Sequence, residues 1–169
     1  MKVFGIAGTS GSGKTTLLDQ LIPRFVAAGL RVAGVKHTHH GFDPDTPGKD
    51  SWRMREAGCA NVVLVGARHL TLMRRYDEGA PPPELADALA VLPLDTDLVL
   101  VEGYKHSDVP KLEVYRPGHG RAPLWPDVPG IVGVATDAPD EVAALTRLPV
   151  LDLNRIDAIE AFVRERAGL

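Results

Sequence analysis

Short apolar runs alternate along the chain with stretches of helical period. Residues 3–7 are apolar and run straight into glycines, the pattern of a buried parallel strand. Over 14–28, Leu17, Leu18, Leu21, Ile22, Phe25 and Val26 recur at helical spacing. Pro23 inside that stretch predicts a kink or break, and Gly29 is a good C-terminal stop. Residues 31–36 read as a second strand, 50–57 as a helix ended by Gly58, and 61–65 and 70–74 as further strands. The Gly-Ala-Pro-Pro-Pro run at 79–83 is a rigid break before a short helix over 84–91. Residues 98–101 are four consecutive aliphatics, as a strand buried on both faces requires. Strands follow at 112–115, 131–135 and 150–153, with a closing helix over 156–166. The proline- and glycine-rich 117–130 reads as an irregular excursion.

Strands alternating with helices imply an α/β fold with a mostly parallel sheet flanked by helices. Ligands of such sheets sit at the C-terminal strand ends, here after Ala7, Lys36, Val101 and Ala135. At the first of these, Gly8-Thr9-Ser10-Gly11-Ser12-Gly13-Lys14-Thr15 matches G-x-x-x-x-G-K-S/T between a strand and a helix. The glycines let successive N–H groups turn inward onto phosphate oxygens, and the helix N-terminus adds partial positive charge. This pattern assigns the β- and γ-phosphates to Lys14, Mg²⁺ to the Thr15 hydroxyl and the α-phosphate to Thr16. Glu102 ends the buried strand, where a magnesium site needs a carboxylate. Its bland alternative is an ordinary salt bridge. Asp97, at the far end of the same strand, reads as structural. The expected architecture is the three-layer P-loop NTPase fold, with 1–169 as a single nucleotide-binding domain.

Composition narrows the picture little. A formal net charge of -3 points to neither nucleic acid nor an anionic membrane. The first apolar run meets glycines too soon for a signal peptide, and nothing approaches the ~20 apolar residues of a membrane helix. The one cysteine, Cys59, cannot form an internal disulfide, which suits a reducing cytoplasm. It reads as a small buried filler.

The loop after the second strand is the expected γ-phosphate sensor. There Asp43 or Asp45 is a candidate to orient attacking water. Asp50 and Arg53, three apart at a helix start, share a face, and Arg53 is a candidate for γ-phosphate charge. A helix N-cap is the competing role for Asp50. His37, His39 and His40 invite a metal reading, against which loop histidines also bind anions or face water. For base selection the N-K-x-D form is absent. Asp137, directly after the strand 131–135 and Thr136, is placed to read guanine, unless it is simply a turn aspartate before proline. Asn154, at the next strand end, is a candidate to close over the base.

Together these residues resemble the molybdopterin-guanine dinucleotide biosynthesis protein B (MobB) family over most of the chain. The likeness is strongest in residues 8–16, in Val35-Lys36-His37-Thr38-His39-His40, and from Asp43 through Pro47-Gly48-Lys49-Asp50-Ser51 to Arg53 and Ala57-Gly58. Val101-Glu102-Gly103-Tyr104-Lys105 and Lys111-Leu112-Glu113-Val114 extend it. The resemblance implies a homodimeric GTP-binding protein, slowly hydrolytic, that assists the guanylyltransferase joining GMP to molybdopterin. Asp50-Ser51-Trp52-Arg53 also looks like an element of signal-recognition GTPases, which supports γ-phosphate roles for Asp50 and Arg53. Thr9 stands where many relatives of the wider class carry a lysine, which argues against a lysine reaching across the dimer. Lys36, Lys49, Tyr104, Lys105, Lys111 and Arg116 are candidates for a basic rim suited to an anionic pterin phosphate or to the partner enzyme, with Lys105 favoured. A metallochaperone GTPase using His37, His39 and His40, and a small-molecule kinase with 117–130 as its lid, are the alternatives.

Overall fold

The computed structural model describes residues 1–38 and 42–169. They divide into two compact units, one of Met1–His37 with Ala88–Leu169, the other of Thr38–Asp87. The first unit holds a six-stranded sheet built from β1 (Lys2–Ala7), β2 (Val32–Lys36), β5 (Leu98–Glu102), β6 (Lys111–Val114), β7 (Ile131–Thr136) and β8 (Val150–Asp152). The order is β2-β5-β1-β6-β7-β8 and every pairing is parallel. Parallel neighbours need crossovers, and α1 (Lys14–Ala27), α4 (Pro139–Ala143) and α5 (Ile156–Ala167) belong to this unit. Short α4 was not legible as a helix in the sequence. It has only five residues and opens on a proline, so it shows no apolar period.

The core joins Phe4, Ile6 and Leu100 of the sheet to Leu17, Leu21 and Phe25 of α1 and to Ile159, Phe162 and Val163 of α5. Those helical positions recur every three or four residues, so each helix turns one apolar stripe inward. Helix α1 runs through Pro23 as one helix, without the break that was one of the two outcomes expected there. A mid-helix proline costs about 3 kcal/mol. Leu21 and Phe25, one on each side of it, are fully buried and contribute roughly 1.5–3 kcal/mol each, which decides for continuity. Arg24 then clasps α5 through Asp157 and Glu160.

Strand β6 carries two charged residues that are both 1% exposed, Lys111 and Glu113. The Lys111 ammonium donates to the carbonyls of Ser107, Val109 and Pro129. It is therefore an internal clamp and not part of a basic rim. The Glu113 carboxylate accepts from the backbone N–H groups of Leu124 and Trp125 at 2.8 and 2.9 Å, which ties the 117–130 excursion to the sheet. Asp97 accepts from the Arg31 backbone N–H at 2.8 Å, the structural role expected of it.

The second unit contains α2 (Asp50–Glu56) and an antiparallel ribbon of β3 (Asn61–Val65) and β4 (Leu70–Arg74). Val62 and Met73 face each other across the ribbon and are buried. On the other ribbon face Val63, Val65, Leu70 and Leu72 form an exposed apolar stripe. Helix α3 (Leu85–Ala90) carries the chain back to the first unit. Cys59 is exposed, not buried, because it lies in the turn just past α2 and before the ribbon. Among the described residues no helix is long and apolar enough to cross a membrane.

Burial pushes the Glu113 carboxyl up to about 7, with its two backbone donors only partly opposing the shift. The folded chain thus keeps a proton that the unfolded chain releases near 4.5. The resulting stability is fully present below that value and is lost as pH rises through about 7. Denaturant unfolding across this window is expected to show a loss of at most about 3 kcal/mol that Glu113→Gln abolishes.

Candidate functional site

Strand β1 ends at Ala7 between β5 and β6, and the glycine-rich loop starts there. Gly8 has φ 140, and a Cβ on it would stand 2.5 Å from the Val114 carbonyl and 2.7 Å from Ser12 Oγ. Only glycine makes that turn against β6. Ser12 is 1% exposed, so it serves the loop through its backbone and not as a lining side chain. Helix α1 begins at Lys14, directly behind the loop, and its first N–H groups have no partner of their own within the helix.

Ser10, Gly11, Gly13, Lys14, Thr15, Thr16, Lys36 and Glu102 line one cleft of about 340 Å³. Lys14 Nζ donates to the Thr9 carbonyl at 2.8 Å, which curls the loop around its own cation. Burial lowers the Lys14 pKa, the Glu102 carboxylate opposes this, and Lys36 adds to it. The register places Glu102 beside Ile6 of β1 and Lys36 of β2. Lys36 Nζ approaches the Glu102 carboxylate at 3.6 Å, with the lysine largely exposed. Such a pair is worth less than about 1 kcal/mol, so the carboxylate is readily given up to a stronger cation. One carboxylate and one hydroxyl are hard oxygen donors, the set that suits Mg²⁺ when phosphate and water supply the remaining ligands. Among the described residues no cluster of three or more His, Cys, Asp or Glu side chains could hold a metal alone.

Past Glu102 the chain turns sharply, with Tyr104 at φ 44 and its ring stacked 4.3 Å from that of His37. Lys105 lies in this turn, is exposed, and does not line the cleft. Asp137 follows β7. Buried Thr136 accepts the Ala138 N–H through its hydroxyl at 3.2 Å, which shapes the turn. Arg116, read from sequence only as part of a rim, donates from Nε to the Ser12 carbonyl and from Nη1 to Asp137. Its position one strand end away from both partners is invisible without the topology. Asn154 donates its side-chain amide to Asp152 at 2.9 Å.

The remaining candidates belong to the second unit. Asp45 accepts from Ser51 Oγ and the Thr46 N–H, both at 2.9 Å, and lies 3.2 Å from Arg55 Nε. Asp43 accepts from Arg55 at 2.9 Å, and that guanidinium holds the Asp43 carboxyl below the usual carboxylate range. Both aspartates are thus bound into a clasp around the start of α2, and Arg55 was not singled out from sequence. Lys49, not Asp50, is the N-cap residue of α2. Asp50 and Arg53 are both exposed on that helix. Of the histidine group, His39 and His40 lie outside the described residues.

Residues 3–137 match the family model described as molybdopterin guanine dinucleotide synthesis protein B. The chain is 42% identical over 164 residues to a molybdopterin-guanine dinucleotide biosynthesis adapter protein of Haemophilus influenzae, covering 95% of this chain and 86% of that one. It is 36% identical over 167 residues to the adapter protein of Escherichia coli, covering 96% and 91%. Its fold superimposes on the crystal structure of a MobB homolog from Bacillus stearothermophilus with a TM-score of 0.70 and 30% identity, over 98% of this chain and 100% of the other. The phosphate loop, the Lys-His segment and the strand-end Glu102 therefore sit in a chain that belongs to the molybdopterin guanine dinucleotide synthesis protein B family.

Proposed function

We propose that the protein binds GTP with Mg²⁺ at residues 8–16, hydrolyses it slowly, and acts in molybdopterin-guanine dinucleotide synthesis as an adapter to the enzyme that joins GMP to molybdopterin. The observation that carries this reading is one cleft in which a phosphate loop, Lys14, Thr15 and Glu102 meet, with Asp137 tied to the same loop through Arg116. The adapter role comes from the names of the relatives.

In this reading the backbone N–H groups of residues 10–16 take the phosphate oxygens, and Lys14 exchanges the Thr9 carbonyl for the β- and γ-phosphates. Thr15 and Glu102 would hold Mg²⁺, which neutralises charge building up on the transferring phosphoryl group. Asp137 accepts from the N–H donors of guanine. The likeness of Asp50-Ser51-Trp52-Arg53 to an element of signal-recognition GTPases supports a γ-phosphate role for Asp50 and Arg53. Asp45 serves them indirectly by bonding Ser51 and holding the first turn of α2. Lys105, exposed beside Glu102, faces an anionic partner such as a pterin phosphate or an acidic patch of the guanylyltransferase. The apolar stripe of Val63, Val65, Leu70 and Leu72 supports a homodimer, since monomers rarely expose contiguous apolar surface. A cytoplasmic setting fits the single cysteine.

Calorimetric titration tests the core of this. GTP with Mg²⁺ is expected to bind at least about 10-fold more tightly than ATP, as a difference of about 1.4 kcal/mol in base contacts would give. Equal or stronger ATP binding would undo the guanine assignment and favour a kinase-like enzyme. Lys14→Ala is expected to weaken triphosphate binding by about 10- to 100-fold, the loss of charge-assisted hydrogen bonds; unchanged affinity removes the phosphate site. Glu102→Gln should raise the Mg²⁺ concentration needed for half-maximal binding while leaving metal-free nucleotide affinity alone. An unaltered Mg²⁺ titration counts against the metal role.

A further inference from the structure

Arg116 leaves β6 just past its last residue, and one planar cation there grips two neighbouring elements. Nε donates to the Ser12 carbonyl at 2.9 Å, inside the phosphate loop. Nη1 donates to Asp137 Oδ2 at 2.5 Å, at the end of β7. Nη2 stands 3.5 Å from where a Cβ on Gly13 would be, so the guanidinium lies along the last turn of the loop. The register that pairs Val114 with Ala135 sets the two strand ends side by side and makes the double grip possible.

An ion pair with side chains 31% and 42% exposed adds little to stability. What it adds is geometry. The guanidinium is planar and directional, and with Nε spent on Ser12 its one N–H bond to Asp137 restrains the rotation of that carboxylate. The Asp137 backbone is already constrained by the buried Thr136 hydroxyl. One oxygen of Asp137 is therefore fixed on Arg116, and the other is left as an acceptor of set direction. Guanine offers adjacent N–H donors on its pairing edge, whereas adenine presents a ring-nitrogen acceptor there. A fixed carboxylate separates the two far better than one that can turn away.

We infer that Arg116 is the positioning residue for base selection: it aims Asp137 and ties that aim to the phosphate loop, so that base recognition and phosphate binding act as one site. A loop carbonyl and a base-reading carboxylate joined by a single cation do the work that the absent N-K-x-D form would otherwise supply. The inference rests on the proposed role of Asp137, and the test separates the two.

The experiment is titration of GTP, ATP and inorganic tripolyphosphate, each with Mg²⁺, into the parent chain and into Arg116→Ala, Asp137→Ala and the double variant. Arg116→Ala is expected to reduce the GTP-over-ATP ratio by about 10-fold, the equivalent of 1.4 kcal/mol. Tripolyphosphate affinity should stay within about 2-fold, and the double variant should discriminate no worse than Asp137→Ala. Should Arg116→Ala fail to fold, Arg116→Gln keeps a donor for Ser12 while removing the charge opposite Asp137, and the same ratio is read. An equal loss of affinity for all three ligands would mean that Arg116 only braces the loop, which overturns the inference. Discrimination lost in Asp137→Ala but retained in the Arg116 variants overturns it while leaving the base reader in place. Discrimination retained in Asp137→Ala removes the base reader itself, and the inference with it.

Discussion

Strand β1 is hydrogen-bonded on both edges, to β5 and to β6, and every strand of that sheet runs the same way. A buried backbone must satisfy its N–H and C=O groups, and in this sheet it can do so only in register with its neighbours. That requirement brings the ends of β1, β5, β6 and β7 to one edge. The phosphate loop, Glu102, Arg116 and Asp137 then meet although they are scattered over more than a hundred residues of sequence. No side chain at this edge needs to find its partner independently, because the ladder positions all of them together. The pairing of Lys36 with Glu102 and the bond from Arg116 to Ser12 both follow from that constraint.

The same sheet tolerates two ionisable side chains in its interior by meeting their polar atoms locally. An ammonium taken out of water costs several kcal/mol unless its donors are met, and Lys111 meets three carbonyls. Glu113, two residues on, meets two backbone N–H groups. Each of these bonds reaches a loop that has no ladder of its own. These two side chains thus act as fasteners between regular and irregular backbone, and the excursion over 117–130 is held from within the sheet.

Most of the first unit was legible in the sequence, because its strands are short aliphatic runs and its long helices carry clear apolar stripes. The 98–101 run and the 61–65 and 70–74 pair fell where composition alone put them. The phosphate loop was equally plain, since its glycines and lysine keep fixed spacing between a strand and a helix. What escaped was whatever depends on a partner distant in sequence. Lys111 and Glu113 look like surface charges until the strand order shows them flanked by β1 and β7. Arg116 looks like one more basic residue until β6 and β7 are set side by side. Pro23 does not break α1 because the local rule for proline ignores the two buried neighbours that outweigh it. Asp45 was read as a candidate to orient attacking water, and its partner Arg55, ten residues on in α2, was not singled out because nothing in the local sequence pairs the two.

Cys59 stands just past α2, exposed, and it is the one thiol in the chain. Maleimide chemistry on the unaltered protein therefore has a single address, and that address lies in the second unit. A fluorophore or spin label placed there reports on the surroundings of α2 and its neighbouring ribbon without any engineered cysteine. Trp52 in the second unit and Trp125 in the first supply an intrinsic emitter for each. The chain thus carries its own optical reporters, a tryptophan in each unit, for following the two separately.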